Sequence, residues 1–293
     1  MSTIAFLGYG RFGAALAGLF REAGDSVRAF DPHHSAIPDD ARVDSLAGLC
    51  READFIVLAV PVTHIGEAAA SVRPHLGPGQ IVFDVGSVKV VPGEQLAATL
   101  GNAVPWVGTH PLFGPVSLLR GERPLRAVVC GNALHPSAVD SVSALFSRIG
   151  CEVLLQDAHE HDRAMAFTHA LAFFVAKGML DAGAPPEADF APPSYQAIAR
   201  TIASVREDAG HLFSALHREN PYAADARRAL LDALLAADRN LNDGARTQAA
   251  EVTIPDLGPG SSALSGTRDL IEEIDREIEA LVARRARLSD RGA

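Results

Sequence analysis

His110 lies in the segment Gly108-Thr109-His110-Pro111-Leu112-Phe113-Gly114-Pro115, between two glycines and two prolines. Prolines remove backbone donors and glycines relax the chain, so this composition predicts a shaped loop rather than a helix face. An imidazole fixed in such a loop can take or give a proton near neutral pH, which makes His110 the leading acid/base candidate. Near the start of the chain, Gly8-x-Gly10-x-x-Gly13 follows an apolar run and opens a stretch of helical spacing. In that context the glycines let backbone approach a pyrophosphate, and the helix start offers amide donors. Arg11 and Phe12 within the turn, and Val60 and Pro61 after a later apolar run, complete the expected cofactor surface. Asp31 ends the second apolar run, at the interval where a carboxylate accepts from ribose hydroxyls. It would repel a 2′-phosphate, so NAD is expected over NADP; protonated His33 and His34 would soften that preference.

A second polar cluster, Asp84-Val85-Gly86-Ser87-Val88-Lys89, closes another apolar run. Carboxyl ends of strands are where doubly wound sheets bind ligands. Ser87 can exchange hydrogen bonds with a neighbouring imidazole, and Lys89 offers a cation to an acidic substrate. Read alone, these two are a turn residue and a solvated charge; the His110 segment is what favours a site.

The elements that must position these residues follow from short apolar runs at 3–7, 27–30, 55–60, 81–83, 106–107 and 127–130, alternating with helical stretches. That alternation predicts an α/β fold, a Rossmann-type doubly wound parallel sheet over residues 1–156. The character then changes. Asp157 and Glu160 have capping-box spacing ahead of a long helix at 161–180, further helices are expected at 195–216 and after Asn220-Pro221, and no strand pattern follows. Residues 157–243 are therefore expected to form an all-helical domain that binds substrate and dimerises. A Gly-, Pro- and Ser-rich linker is expected at 244–266 and an isolated C-terminal helix at 267–293. That helix carries Ile271, Ile274, Ile278, Leu281, Arg285 and Leu288 on one heptad seam, a stripe it cannot bury alone.

The chain has 293 residues with a formal charge of −10 and no basic cluster outside its C-terminal tail, which argues against a nucleic-acid partner. No apolar run is long enough for a membrane span. Cys50, Cys130 and Cys151 are scattered, so neither a disulfide framework nor a zinc site is expected, and a cytoplasmic location fits. His159, His161, Asp162 and His169 lack the helical spacing of a zinc pair, so no metal is expected.

The stretches AFLGYGRFG, LAVPV, DVGSVK and GTHPLFGP, in this order, resemble the prephenate and arogenate dehydrogenase family across residues 3–240. The resemblance implies a homodimer that uses NAD to oxidise a small cyclohexadienyl acid, prephenate first. Hydride leaves ring C4 while the ring carboxylate departs as CO2 and the ring becomes aromatic. By the same resemblance His110 deprotonates the C4 substituent, Ser87 orients it, and Lys89, Arg200 and His169 bind substrate. Arg200 is equally readable as a surface helix charge, and His169 as a satisfied core histidine, with Phe173 at the more usual position of that histidine. Val116 stands where the family commonly has an acid, which leaves prephenate, arogenate and 4-amino-4-deoxyprephenate open as substrates.

Residues 267–288 resemble the first helix of all-helical chorismate mutases, with Arg268 and Arg285 at two carboxylate-binding positions. The two further helices of that active site are not in this sequence, so a packing or docking role is expected, including toward a separate mutase. Two other classes stay open. One is a nucleotide-binding regulatory protein without catalysis that acts through this helix. The other is a hydroxy-acid dehydrogenase, for which Lys177 is the one lysine on the long helix.

Overall fold

The computed structural model describes residues 1–33, 36–185, 191–207 and 211–242. The expected linker at 244–266, the helix at 267–293 with Arg268 and Arg285, and His34 lie outside the described residues. Residues Met1–Leu235 form one compact unit.

Its centre is a seven-stranded sheet of order β2-β1-β3-β4-β5-β6-β7. The strands are β1 (Thr3–Leu7), β2 (Ser26–Phe30), β3 (Phe55–Leu58), β4 (Ile81–Asp84), β5 (Trp106–Pro111), β6 (Leu125–Cys130) and β7 (Cys151–Gln156). Neighbours run parallel except β5 and β6, which pair antiparallel with His110 opposite Val128. The α/β fold class expected from the sequence is the one observed.

Each inner strand is apolar at nearly every position because both of its faces are covered. Side chains alternate between the two faces, so Ile4, Phe6, Val57 and Phe83 pack on one side while Ala5, Leu7, Ile56, Leu58 and Val82 pack on the other. The first side receives α1 (Arg11–Glu22) and, later in the chain, the helix Pro136–Arg148, through Leu16, Phe20, Val142 and Phe146. There the rings of Phe6, Phe20, Phe146 and Phe83 form a chain with centroids 6.3, 6.3 and 5.9 Å apart. Each of these rings is fully buried. Leaving water contributes about 1.5–3 kcal/mol per ring. The second side receives α2 (Leu46–Cys50), α3 (Ile65–Val72) and α4 (Val90–Leu100).

His110 is in strand β5 and not in a loop, which corrects the sequence expectation. Pro111 is the last residue of that strand, where a missing donor interrupts no interior ladder. Pro115 is the first residue of the short helix α5 (Pro115–Leu119), a position that proline favours. Strand β7 has no counterpart among the expected elements. It sits at the sheet edge with Leu154 and Leu155 exposed, so its residues lack the unbroken apolar pattern of the inner strands.

After the helix Pro136–Arg148, here α6, and strand β7, the chain is helical. A continuous run comprises α7 (Ala158–Met165), a π turn (Ala166–Ala170) and α8 (Leu171–Asp181). Asp157 caps its start, since its carboxylate accepts from the His159 amide at 2.8 Å and from the Glu160 amide at 3.3 Å. Both donors would otherwise be orphaned in the first turn. α9 (Pro193–Glu207), α10 (His211–Ser214) and α11 (Ala223–Asn242) follow. Ala170, Phe173, Ala176, Ile202 and Leu216 form a small core among them.

Candidate active site

The carboxyl ends of β1, β3, β4 and β5 share one edge of the sheet, since these strands run parallel. The glycine turn lies there. A Cβ on Gly8 would come within 2.4 Å of the Ala59 carbonyl oxygen, and one on Gly13 within 2.7 Å of the Gly8 carbonyl oxygen. Gly8 also has φ +98°, so only glycine fits without strain. Gly10 caps α1 with no side-chain hydrogen bond, which leaves the first turn able to donate amides to an anion. Val60 packs against Gly8, and Arg11 and Pro61 are exposed beside the turn. Asp31, just past β2, accepts from the amides of Tyr9 (2.7 Å) and His33 (2.8 Å), which fixes its carboxylate next to the turn. This cradle, a capless helix start and an adjacent fixed carboxylate fit an adenine dinucleotide without a 2′-phosphate.

In the polar cluster after β4 the lysine is engaged within the protein. Lys89 is 2% exposed, and its ammonium pairs with the Asp84 carboxylate and donates to the Thr109 carbonyl at 2.6 Å. Asp84 also accepts from the Gly86 amide (2.9 Å), and its backbone carbonyl accepts from the Thr109 hydroxyl (2.5 Å). The lysine thus locks β4 to the residue before His110; two of its donors are committed within the protein. Ser87 is buried but is not paired with His110.

The partner of His110 is His161. The Nδ1 atom of His110 lies 2.9 Å from Nε2 of His161, with the rings nearly perpendicular. Nδ1 of His161 lies 2.8 Å from Oδ1 of Asp162. Both residues come from the first turns of α7, and both are fully buried. Asp162 reaches across to the sheet half, where Oδ1 accepts from the Lys89 amide and Oδ2 from the Val90 amide, each at 2.8 Å. It thereby caps α4, whose start has no local side-chain cap. Asn220 donates to the Asp162 carbonyl at 2.7 Å and holds the backbone of this residue in turn. From the sequence, His161 and Asp162 bear only on the question of a metal; the pairing with His110 comes from the fold.

His110 is held well below the ordinary imidazole value of 6.5, first by burial and then by the positive charge of His161, Lys89 and His169. It is therefore a neutral ring. Among the described residues nothing pairs with its second nitrogen, Nε2. The protein end of the chain is tied and the other end is available.

His169, on the π turn, is near enough to act on His110 electrostatically, and its ring stands edge-on to Phe173 at 4.8 Å. Arg200 is exposed on α9. Phe12, within the glycine turn, meets Phe113, three residues after His110, with centroids 6.2 Å apart. That contact joins the cofactor turn to the histidine segment. Val116 lies in the first turn of α5.

Among known families, the model of the prephenate dehydrogenase nucleotide-binding domain matches residues 33–123. A 4-amino-4-deoxyprephenate dehydrogenase of Streptomyces pristinaespiralis is 29% identical over 241 residues, 79% of this chain and 75% of that protein. A cyclohexadienyl dehydrogenase of Zymomonas mobilis is 31% identical over 146 residues, 47% of this chain and 49% of that one. In fold, the chain is similar to Synechocystis arogenate dehydrogenase, with a TM-score of 0.61 at 22% identity over 82% of this chain and 93% of that one. It is similar as well to Aquifex aeolicus prephenate dehydrogenase, solved with hydroxyphenyl propionate and NAD+, with a TM-score of 0.67 at 18% identity over 98% of both chains.

Proposed function

We propose that the chain, which matches the prephenate dehydrogenase nucleotide-binding domain over residues 33–123, carries out NAD-dependent oxidative decarboxylation of prephenate to 4-hydroxyphenylpyruvate. The observation that carries this reading is the buried neutral His110, anchored at Nδ1 and open at Nε2, on the sheet edge that holds the glycine turn. When bound, NAD supplies the acceptor for the C4 hydride. Gly8, Gly10 and Gly13 would hold its pyrophosphate, Asp31 its ribose, and Arg11, Phe12, Val60 and Pro61 its flanks.

Nε2 of His110 accepts a hydrogen bond from the C4 hydroxyl and takes its proton as positive charge develops at C4. Once CO2 has left, the same proton returns to the new phenolic oxygen, so the step consumes no net acid. The neutral ring is ready for this at pH 7 without first losing a proton. Orientation comes from His161 rather than from Ser87, which is left to meet the substrate. Lys89 acts through the strand geometry. Arg200 and His169 are the groups that would pair with substrate carboxylates, since Arg suits a planar anion.

A second reading differs only at C4. The Streptomyces relative, matched over most of both chains, is named for a substrate with an amino group there. A bare Nε2 can accept from an amine as well as from a hydroxyl. Steady-state NADH formation with prephenate, arogenate and 4-amino-4-deoxyprephenate tests both readings. Turnover of none of the three overturns the assignment.

The helical half is proposed to dimerise. Leu231, Leu234 and Leu235 on α11 are exposed and lie at helical spacing, so they form one apolar stripe. A second copy covering this stripe gives a dimer mass by light scattering; a monomer at micromolar concentration would contradict it.

A further inference from the structure

We propose that Asp162 is a positioning residue that sets the tautomer of His110 through His161, so that a lone pair rather than a proton faces the ring substituent. The inference rests on the functional reading above for its purpose, but it concerns the resting protein.

The direction of each hydrogen bond follows from the one before. Asp162 accepts from two backbone amides, of Lys89 and Val90, and an amide can only donate. Its carboxylate is therefore an acceptor at both oxygens, and the proton of the His161 contact belongs to Nδ1 of His161. A neutral His161 then has a bare Nε2, which can only accept. Nδ1 of His110 must donate to it, and a neutral His110 is left with its lone pair on Nε2. The opposite polarity would need a second proton on His161, a positive charge with no exposure to water, offset only by an Asp162 carboxylate already shared with two amides.

The device also ties the tautomer to assembly of the site. Asp162 belongs to α7 in the helical half, its two amide donors belong to the start of α4 in the sheet half, and Asn220 ahead of α11 holds its backbone. The base is correctly protonated only when these three segments meet.

Nuclear magnetic resonance of the full chain with isotope-labelled histidine reads the tautomer directly, and the His110→Asn variant assigns the His110 signals. At neutral pH, His110 is expected with its proton on Nδ1 and His161 likewise. In Asp162→Asn the amide can donate to His161 and reverse the chain, which moves the His110 proton to Nε2. kcat should fall about 10²–10⁴-fold, with KM for the dinucleotide within about twofold, as for a general base in the wrong tautomer. Because Asn also weakens the α4 cap, His161→Gln serves as a second variant that leaves the cap intact, and it should lower kcat more than about tenfold. A proton on Nε2 of His110 in the unmodified chain, a doubly protonated His161, or an unchanged His110 signal in Asp162→Asn would each overturn the proposal. If the spectra behave as expected while no cyclohexadienyl acid is turned over, the functional reading fails and the tautomer assignment stands.

Discussion

Asp84 and Asp162 are both fully buried carboxylates beside the strand that carries His110, yet Asp84 faces an ammonium and Asp162 faces an imidazole. On the sheet side, the charge of Asp84 is spent within the scaffold, on Lys89, on backbone amides and on the pairing of β4 with β5. On the helix side, Asp162 passes its influence through His161 to His110, whose Nε2 has no partner among the described residues. A buried ion pair and a buried relay look alike in composition. They differ in whether the last member has a partner, and that difference separates scaffold from chemistry.

The widest separation should come from His110→Asn. An asparagine keeps polarity but cannot act as a base, so turnover should drop about 10²–10⁴-fold while the dinucleotide still binds. NADH formation together with a nucleotide titration checks both halves. Loss of nucleotide binding alongside turnover would mean that His110 shapes the cofactor turn instead.

Lys89→Met tests the other side of the comparison. It leaves Asp84 buried without its cation, which typically costs about 3–5 kcal/mol of stability. Denaturant melts should show the loss. An unchanged melt with a many-fold rise in substrate KM would make Lys89 a substrate ligand and collapse the contrast drawn between the two acids.

The same contrast explains how much is readable from the chain alone. The glycine turn, Asp31, the strand-ending DVGSVK and the His110 segment are all legible, because backbone constraints force particular residue types at particular spacings. The capping Asp157 and the helical second half are legible for the same reason. The strand character of His110 is not, since Pro111 and Pro115 punctuate a strand end and a helix start as readily as a loop. The burial of Lys89 is not legible either, because it is decided by Asp84 and by the Thr109 carbonyl of the neighbouring strand, which no local pattern reveals. His161 and Asp162 carry no motif spacing; adjacent polar residues on a helix normally point to water, and only tertiary packing turns both inward. Their one available signal is a histidine and an acid side by side ahead of a helical stretch that turns apolar.

Two glycines on α1 sharpen the case for the cofactor turn with a smaller effect. An added Cβ on Gly13 meets the Gly8 carbonyl, whereas one on Gly18 meets nothing within 4 Å. Gly13→Ala must push the helix start away from the turn, and a tenfold loss of nucleotide affinity, about 1.4 kcal/mol, is expected. Gly18→Ala should leave affinity alone and add about 0.5–1 kcal/mol of stability by restricting the unfolded chain. Equal effects of the two would remove the argument that close approach, and not helix propensity, dictates the first glycine.

The smallest effect is a pH dependence, and it again divides the molecule. His217, in the helical half, is lowered from 6.5 to about 4 by burial first, then by Arg227 and His169. Its Nδ1 accepts from the Arg227 guanidinium at 3.0 Å, so a proton added there would break that bond and face a cation. His110 is lowered as well. Both rings take up protons at the ordinary 6.5 when the chain unfolds, so between 6.5 and about 4 the unfolded state binds more protons than the folded one. Stability is therefore fully present above 6.5 and is lost as pH falls through that window. Thermal melts at the two ends of the window should show a lower midpoint at the acid end. His217→Phe, placed among the rings of Phe174 and Phe213, should remove part of that difference, and the part that survives includes the contribution of His110.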